Sequence, residues 1–296
     1  MLPNGGFAPF HNIYRRGPFL EGLREVGWVE GQNVTIERRF AVGQTDRLPA
    51  LAAELLALDV DVIVAAATPA AKAVQSATSK VPVVIADPGD PVQLGLVASL
   101  ARPGANITGV ISIAPDLATK RLALLKEAVP KATRVAILWN SAIPPAEVAL
   151  KELRAAAPVL DITLQFVEAQ GQAGLAESLA TLVREHADAL FVFPDPLTFG
   201  NRDLIAGFAN KNSIPALFGA REFVDVGGLM SYGPDYPAMF RRAGNYAGRI
   251  LKGTNPAELP VEQPTKFELI INLKAAKAFG FDIAPKLVAR ADEVIE

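Results

Sequence analysis

The chain contains no cysteine. Disulfides, thiolate metal sites and cysteine nucleophiles are excluded, while the compartment stays open, because cysteine-free proteins occur on both sides of a membrane. Histidine is nearly as scarce, at 2 in 296 residues. His186 falls at an expected helix end, where a partly cationic ring complements the dipole, and His11 falls in the N-terminal loop; neither is assigned chemistry. Neither sign of charge predominates: 29 Lys and Arg stand against 31 Asp and Glu, a net charge of −2, with no basic run to follow a phosphate backbone. Nucleic acid is not expected as a partner. Apolar runs stop after about nine residues, short of the ~20 that cross a bilayer. No G-x-x-x-x-G-K-[ST], G-x-G-x-x-G, H-E-x-x-H or G-x-S-x-G motif occurs, so phosphate, dinucleotide, zinc and esterase sites lack the residues to build them. No cofactor and no metal is expected.

What is present is apolar bulk. With 50% hydrophobic residues, the 296-residue chain can fill one large core or two of ordinary size, and two is the expectation. From Val60 onward, short β-branched runs alternate with amphipathic stretches, the pattern of parallel strands linked by covering helices. Strands are expected over 60–67, 81–86, 107–113, 134–139, 162–167, 189–193, 214–218 and 228–232, and their continuous apolarity suits sheets covered on both faces. Leu48, Leu51, Leu55 and Leu58 repeat at helical spacing, as do Leu117, Arg121, Leu124 and Leu125, and Leu175, Leu179, Leu182 and Val183; these read as core faces. A weak echo relates the halves: Asp61-Val-Ile-Val, Val81-Pro82 and Gly109-Val-Ile-Ser112 are answered by Asp188-Ala-Leu-Phe-Val, Ile214-Pro215 and Gly228-Leu-Met-Ser231. Two unrelated α/β halves would echo in the same way. The expected class is α/β, two doubly wound, Rossmann-like lobes with a hinge, one formed by 1–113 with about 234–262 and the other by 114–233 with about 263–296. Residues 114–120, with Pro115-Asp116 at a helix start, form the expected first crossing.

In open α/β sheets ligands bind beyond the carboxyl ends of the strands, where loops meet helix N-termini. After the first apolar run, Thr68 reads as an N-cap and Pro69 as the first helical residue, leaving the amides of Ala70 and Ala71 approachable by a carboxylate. An ordinary capped helix needs the same residues, so both readings stand. After the next run, Asp90 is placed to cap a helix opened by Pro91. Asp87 sits at the strand's end, either to meet a ligand ammonium or hydroxyl or to stabilise the turn. Farther on, 134–139 ends at Asn140-Ser141, and 189–193 leads into Pro194-Asp195-Pro196. There Asp195, flanked by Phe193 and Phe199, combines an apolar wall with one polar anchor. The alternative is a core edge beside a solvated Asp. Tyr232 closes the run 228–232, followed by Asp235 as a helix cap.

These residues resemble the ABC transporter substrate-binding protein family that includes tryptophan-binding TrpX-type members. Gly27–Val34, Asp46–Ala53, Asp90–Val97, Arg102–Gly109, Arg221–Gly233, Gln263–Leu269 and Ala289–Glu296 carry the match, spread over nearly the whole chain. The resemblance implies a type I periplasmic binding fold: two lobes joined by three crossings, a ligand in the cleft between them, hinge closure, and a closed form presented to an ABC permease in the membrane. It implies a monomer, periplasmic, and not an enzyme. Contacts are implied at Thr68, Ala70, Asp90, Asn140, Asp195 and Tyr232, with Phe10, Phe193 and Phe199 able to stack on an aromatic ring. The implied ligand is an amino acid or related small carboxylate. Met1-Leu2-Pro3 stands where the family's first strand ends, so the protein in the cell is expected to begin earlier, with a signal peptide. Two alternatives keep the fold: a sensor coupled to a signalling partner, and an enzyme using Asp87, Asp90 and Asp195 as acid and base.

Overall fold

A computed structural model of the protein describes residues 2–3, 17–41, 44–112, 117–140, 146–169 and 171–296. Phe10, His11, Pro115, Asp116 and Ser141 lie outside the described residues. The chain divides into two compact units, 1–114 with 235–265 and 115–234 with 266–296, and so passes three times from one to the other.

The first unit opens with β1 (Leu2–Pro3), α1 (Gly17–Glu25), α2 (Leu48–Leu56), β2 (Ile63–Ala66), α3 (Thr68–Ala77), β3 (Val83–Ala86) and β4 (Ile107–Val110). The four strands form a parallel sheet in the order β1-β2-β3-β4. Every residue of β2, β3 and β4 is buried, as continuous apolar runs demand of a sheet covered on both faces. Ile63, Ala65, Val83 and Ile85 pack with Leu51 and Leu55 of α2 and Val74 of α3. The strands are shorter than the apolar runs, because Val60 and Val81 pack against this core without joining the ladder.

The second unit runs through α4 (Leu117–Ala128), β5 (Arg134–Trp139), α5 (Ala146–Ala156), β6 (Thr163–Glu168), α6 (Gly171–Arg184), β7 (Ala189–Val192), α7 (Pro196–Gly200), α8 (Arg202–Lys211), β8 (Ala216–Phe218), α9 (Glu222–Asp225) and β9 (Met230–Pro234). The chain then returns to the first unit as α10 (Tyr236–Leu251), before β10 (Phe267–Asn272), α11 (Leu273–Ala278), α12 (Pro285–Val288) and β11 (Glu293–Ile295) complete the second. Its sheet has the order β11-β10-β9-β8-β7-β5-β6, parallel throughout except for the β9–β10 pair. Leu122 and Leu125 of α4 join Val135, Ile137 and Phe191 in a core separate from that of the first unit.

Helix α10 seals the first unit. Asp235 Oδ1 accepts from the Ala238 N–H at 2.9 Å, the cap expected for it. Its apolar stripe includes Met239, Phe240, Ala243, Tyr246 and Ala247. It meets α1 at backbone contact: a Cβ at Gly22 would strike the Arg241 carbonyl, and one at Gly244 the Phe19 carbonyl. Beyond α10 the chain lies along β4, where Ile111 N–H donates to Glu262 O and Glu262 N–H to Gly109 O, both at 2.9 Å. Arg242 fixes this strip by holding both Glu262 carboxylate oxygens at 2.6 Å.

Candidate functional site

In the first unit the loops after β2 and β3 are tied together. Thr68 is not the N-cap of α3. Ala67 holds that position at φ 66°, ψ 161°, with no side-chain oxygen to offer, and Thr68 already belongs to the first turn. Its Oγ1 instead accepts from the Gly89 N–H at 2.7 Å, joining the start of α3 to the loop after β3. Ala71 is also removed as a donor, because its N–H is taken by Ala67 O at 3.1 Å. The amides of Thr68 and Ala70 remain among the first-turn donors that lack an intrahelical acceptor. Ala67 occupies a backbone region that is essentially reserved for glycine and carries about 1–3 kcal/mol of strain, which proteins tend to hold at ligand clamps.

Asp87 follows β3 in the left-handed region, φ 58°, and its N–H donates to Val110 O at 3.0 Å. Asp90 opens no helix. Its Oδ1 accepts from the Val92 and Gln93 amides, at 2.9 and 3.1 Å, across a series of turns from Pro91 to Gly95, and Gly95 at φ 63° ends them. One Asp90 oxygen is thereby committed to local structure. Lys72 of α3 reaches the Leu94 carbonyl and Gln75 the Gly95 carbonyl, docking this loop on the helix.

In the second unit Asp195 is the informative residue. It caps α7: Oδ1 accepts from Leu197 N–H at 2.6 Å and Thr198 N–H at 2.9 Å. The Thr198 hydroxyl accepts from the Asp195 N–H at 3.1 Å and donates to the Phe193 carbonyl at 2.8 Å. This reciprocal cap fixes the carboxylate. Oδ2 is closed off from solvent and has no partner in hydrogen-bonding geometry among the described residues, so the reading of a solvated Asp is excluded. Burial pushes the carboxyl pKa up to about 6, against the opposing pull of the Thr198 and Leu197 amides and of the Asn140 side chain. The ends of β5 and β7 therefore bring Asn140 and Asp195 together.

Phe199 and Tyr232 are held by neighbours of their own unit. The Phe199 ring stands edge-on to Phe223 at 6.1 Å, with the Arg202 guanidinium 5.8 Å from its centre. Tyr232 does not end its strand. β9 continues to Pro234 because it pairs through Tyr232–Leu269 to Pro234–Phe267, and the Tyr232 ring lies 6.1 Å from Phe267.

Two buried charges lie outside the expected site: Arg121, read from the sequence only as part of a core face, and Glu222, not singled out there at all. Arg121, 5% exposed, donates from Nε to Tyr232 O at 2.6 Å and from Nη2 to Gly219 O at 3.4 Å. Gly219 makes room for it: a Cβ there would meet the Pro194 ring and approach Nη2 to 3.2 Å. The guanidinium thus joins β9 to the loop after β8. Glu222, at the start of α9, is 1% exposed. The sequence did hold a signal for Arg121, a charged residue in the apolar stripe of α4 that must find acceptors once buried. Nothing comparable marks Glu222.

Among the described residues, no three acidic or histidine side chains are arranged to hold a metal ion, and no helix is long and apolar enough to cross a membrane. Residues 12–295 match the family model described as ABC transporter substrate binding protein. The chain belongs to that family. This substrate-binding protein is 28% identical over 263 residues, 88% of its length and 74% of the relative's, to the tyrosine-binding protein of Clostridioides difficile (strain R20291). Its structure resembles the ABC domain in complex with L-Trp from Streptococcus pneumonia, with a TM-score of 0.88, 26% identity and 99% of both chains covered. It also resembles a conserved domain protein from Vibrio cholerae, with a TM-score of 0.91, 27% identity, and 99% and 98% of the two chains covered. The fold is that of the type I periplasmic binding proteins.

Proposed function

We propose that this substrate-binding protein binds an amino acid or related small carboxylate, with aromatic amino acids favoured, for an ABC importer. The observation that carries the reading is the Asp195 carboxylate, held rigidly at the carboxyl end of β7 with Oδ2 unpartnered among the described residues. A shielded carboxylate that two backbone amides and the Asn140 side chain hold in place, with acceptor capacity to spare on Oδ2, suits a ligand ammonium. The Thr68 and Ala70 amides at the start of α3 suit a ligand carboxylate. Relatives named for binding tyrosine and seen with L-Trp, at 28% and 26% identity, support the aromatic preference. On this reading the protein is a periplasmic monomer, performs no chemistry on its ligand and delivers it to a membrane permease.

The test is a thermal-shift and calorimetry panel of L-amino acids and plain aromatic carboxylates. L-Tyr or L-Trp at a hundred times Kd is expected to add about 2.7 kcal/mol, a rise in Tm of about 5–10 °C. Asp195→Asn is expected to weaken the amino acid by about 10–100-fold while barely changing affinity for a carboxylate without an ammonium. A panel in which nothing shifts the transition overturns the reading.

A further inference from the structure

The chain passes from one unit to the other at 114–115, 234–235 and 265–266. In the first unit, the runs leading into the first and third passages lie side by side. Val110 and Glu262 form a parallel bridge, and the buried Thr108 hydroxyl donates to Leu259 O at 2.6 Å. α10, which follows the second passage, is joined to them by side chains. Arg242 grips Glu262 through Nε and Nη2, and the Tyr246 hydroxyl, one turn on, donates to Pro260 O at 2.7 Å. The Arg242 guanidinium lies 5.1 Å from the centre of the Tyr246 ring.

The second unit repeats the plan with different residues. The run into the second passage and the run out of the third are paired in the antiparallel ladder, Pro234 with Phe267 and Gly233 with Glu268. α4, which follows the first passage, is joined to them by Arg121, which donates to Tyr232 O and Gly219 O. A Cβ on Gly233 would strike the Gly219 carbonyl, so the two strand ends are close enough for one guanidinium to reach both. In each unit, therefore, two passages are joined by backbone pairing and the remaining one by an arginine in the second turn of the helix that follows it.

We propose that Arg121 and Arg242 are positioning residues that make the three chain ends of each unit one rigid block, so that movement between the units bends only the short links at the passages. Asp235 alone separates β9 from α10, and residues 263–266 belong to no helix or strand. Arg242 and Glu262 are 41% and 38% exposed, and an ion pair so placed adds little to global stability. Its two-point geometry fixes direction instead. The consequence for binding rests on the proposed function: a ligand that draws the units together orders fewer residues when only the links bend, so the two arginines raise its affinity.

The chain has no cysteine, so spin labels can be attached at Ala53→Cys on α2 and Ala180→Cys on α6, exposed positions in separate units. Arg242→Met and Glu262→Gln are each expected to broaden the distribution of label separations by about half or more, with Tm changed by no more than about 2 °C. Arg242→Lys should recover part of the width, whereas Arg121→Lys, which cannot span both acceptors, should broaden it. Amide exchange at Ile111 and Glu262 should quicken about fivefold in Arg242→Met, with β2 as the internal control. Kd for L-Trp should rise about 3–10-fold in Arg242→Met and Glu262→Gln, with the preference for amino acids over plain carboxylates unchanged. Unchanged label distributions overturn the proposal, as does a lowered Tm without broadening, and broadening with unchanged Kd overturns the role in binding. The label measurement needs no ligand, so a native protein that binds no amino acid sinks the proposed function while the label widths alone decide this proposal.

Discussion

Asp195 Oδ1 is committed to the first turn of α7, while Oδ2 stays buried without a partner among the described residues, and the pH dependence follows from that asymmetry. The folded pKa of about 6 lies above the ordinary 3.8, so the folded state binds the proton more tightly than the unfolded chain. This contribution to stability is fully present below pH 3.8 and is lost as pH rises through about 6, by about 3 kcal/mol in all. Urea midpoints between pH 4 and 7.5 should show the decline in the native protein and a flatter profile in Asp195→Asn. A bound ammonium reverses the preference by favouring the charged carboxylate, so amino-acid affinity should weaken as pH falls from 7.5 to 5. Arg121 is the other decisive residue. Arg121→Met strips donors from the Tyr232 and Gly219 carbonyls and is expected to cost about 2–4 kcal/mol in urea unfolding, with Arg121→Lys restoring little because an ammonium cannot span both acceptors. Single residues were only partly legible in the sequence. The Asp235 cap needs nothing but its own helix and was readable, whereas the link from Thr68 to Gly89 depends on two loops meeting in space.

At the scale of elements, apolar runs located eight strands and helical spacing located α2, α4 and α6, because burial between layers leaves a periodic mark whatever the topology. β10 and β11 left a weaker mark. Phe267–Asn272 mixes Glu268 and Asn272 with Leu269, Ile270 and Ile271, and Glu293–Ile295 is a three-residue edge strand. The end of β2 was misjudged by one residue: Thr68 has the right chemistry for a cap, but Ala67 turns the chain. Ala67→Gly should therefore stabilise the protein by about 1 kcal/mol, since glycine adopts this backbone without strain and offsets its own entropic penalty; a lower urea midpoint would count against strain there. Gly22→Ala should act the other way, forcing α1 from α10 and costing about 1–3 kcal/mol.

For the whole molecule, two disjoint cores predict two responses to damage. Leu122→Ala, at a fully buried site in the second unit, should cost about 2–5 kcal/mol and lower exchange protection in β5 and β7 while leaving β3 and β4 unchanged. The class of fold could be read from alternating runs, but transport could not, because a doubly wound sheet hosts many functions. Membership of the ABC transporter substrate-binding family is carried by the match over residues 12–295 and by no single element. The threefold passage of the chain between units also governs synthesis. The first unit needs α10 and Glu262, and the second needs β10 and β11, so a nascent chain of 234 residues holds neither core complete. The amino-terminal half cannot complete its core until residue 265 has emerged, so amino-terminal-first folding is confined to the last stretch of synthesis.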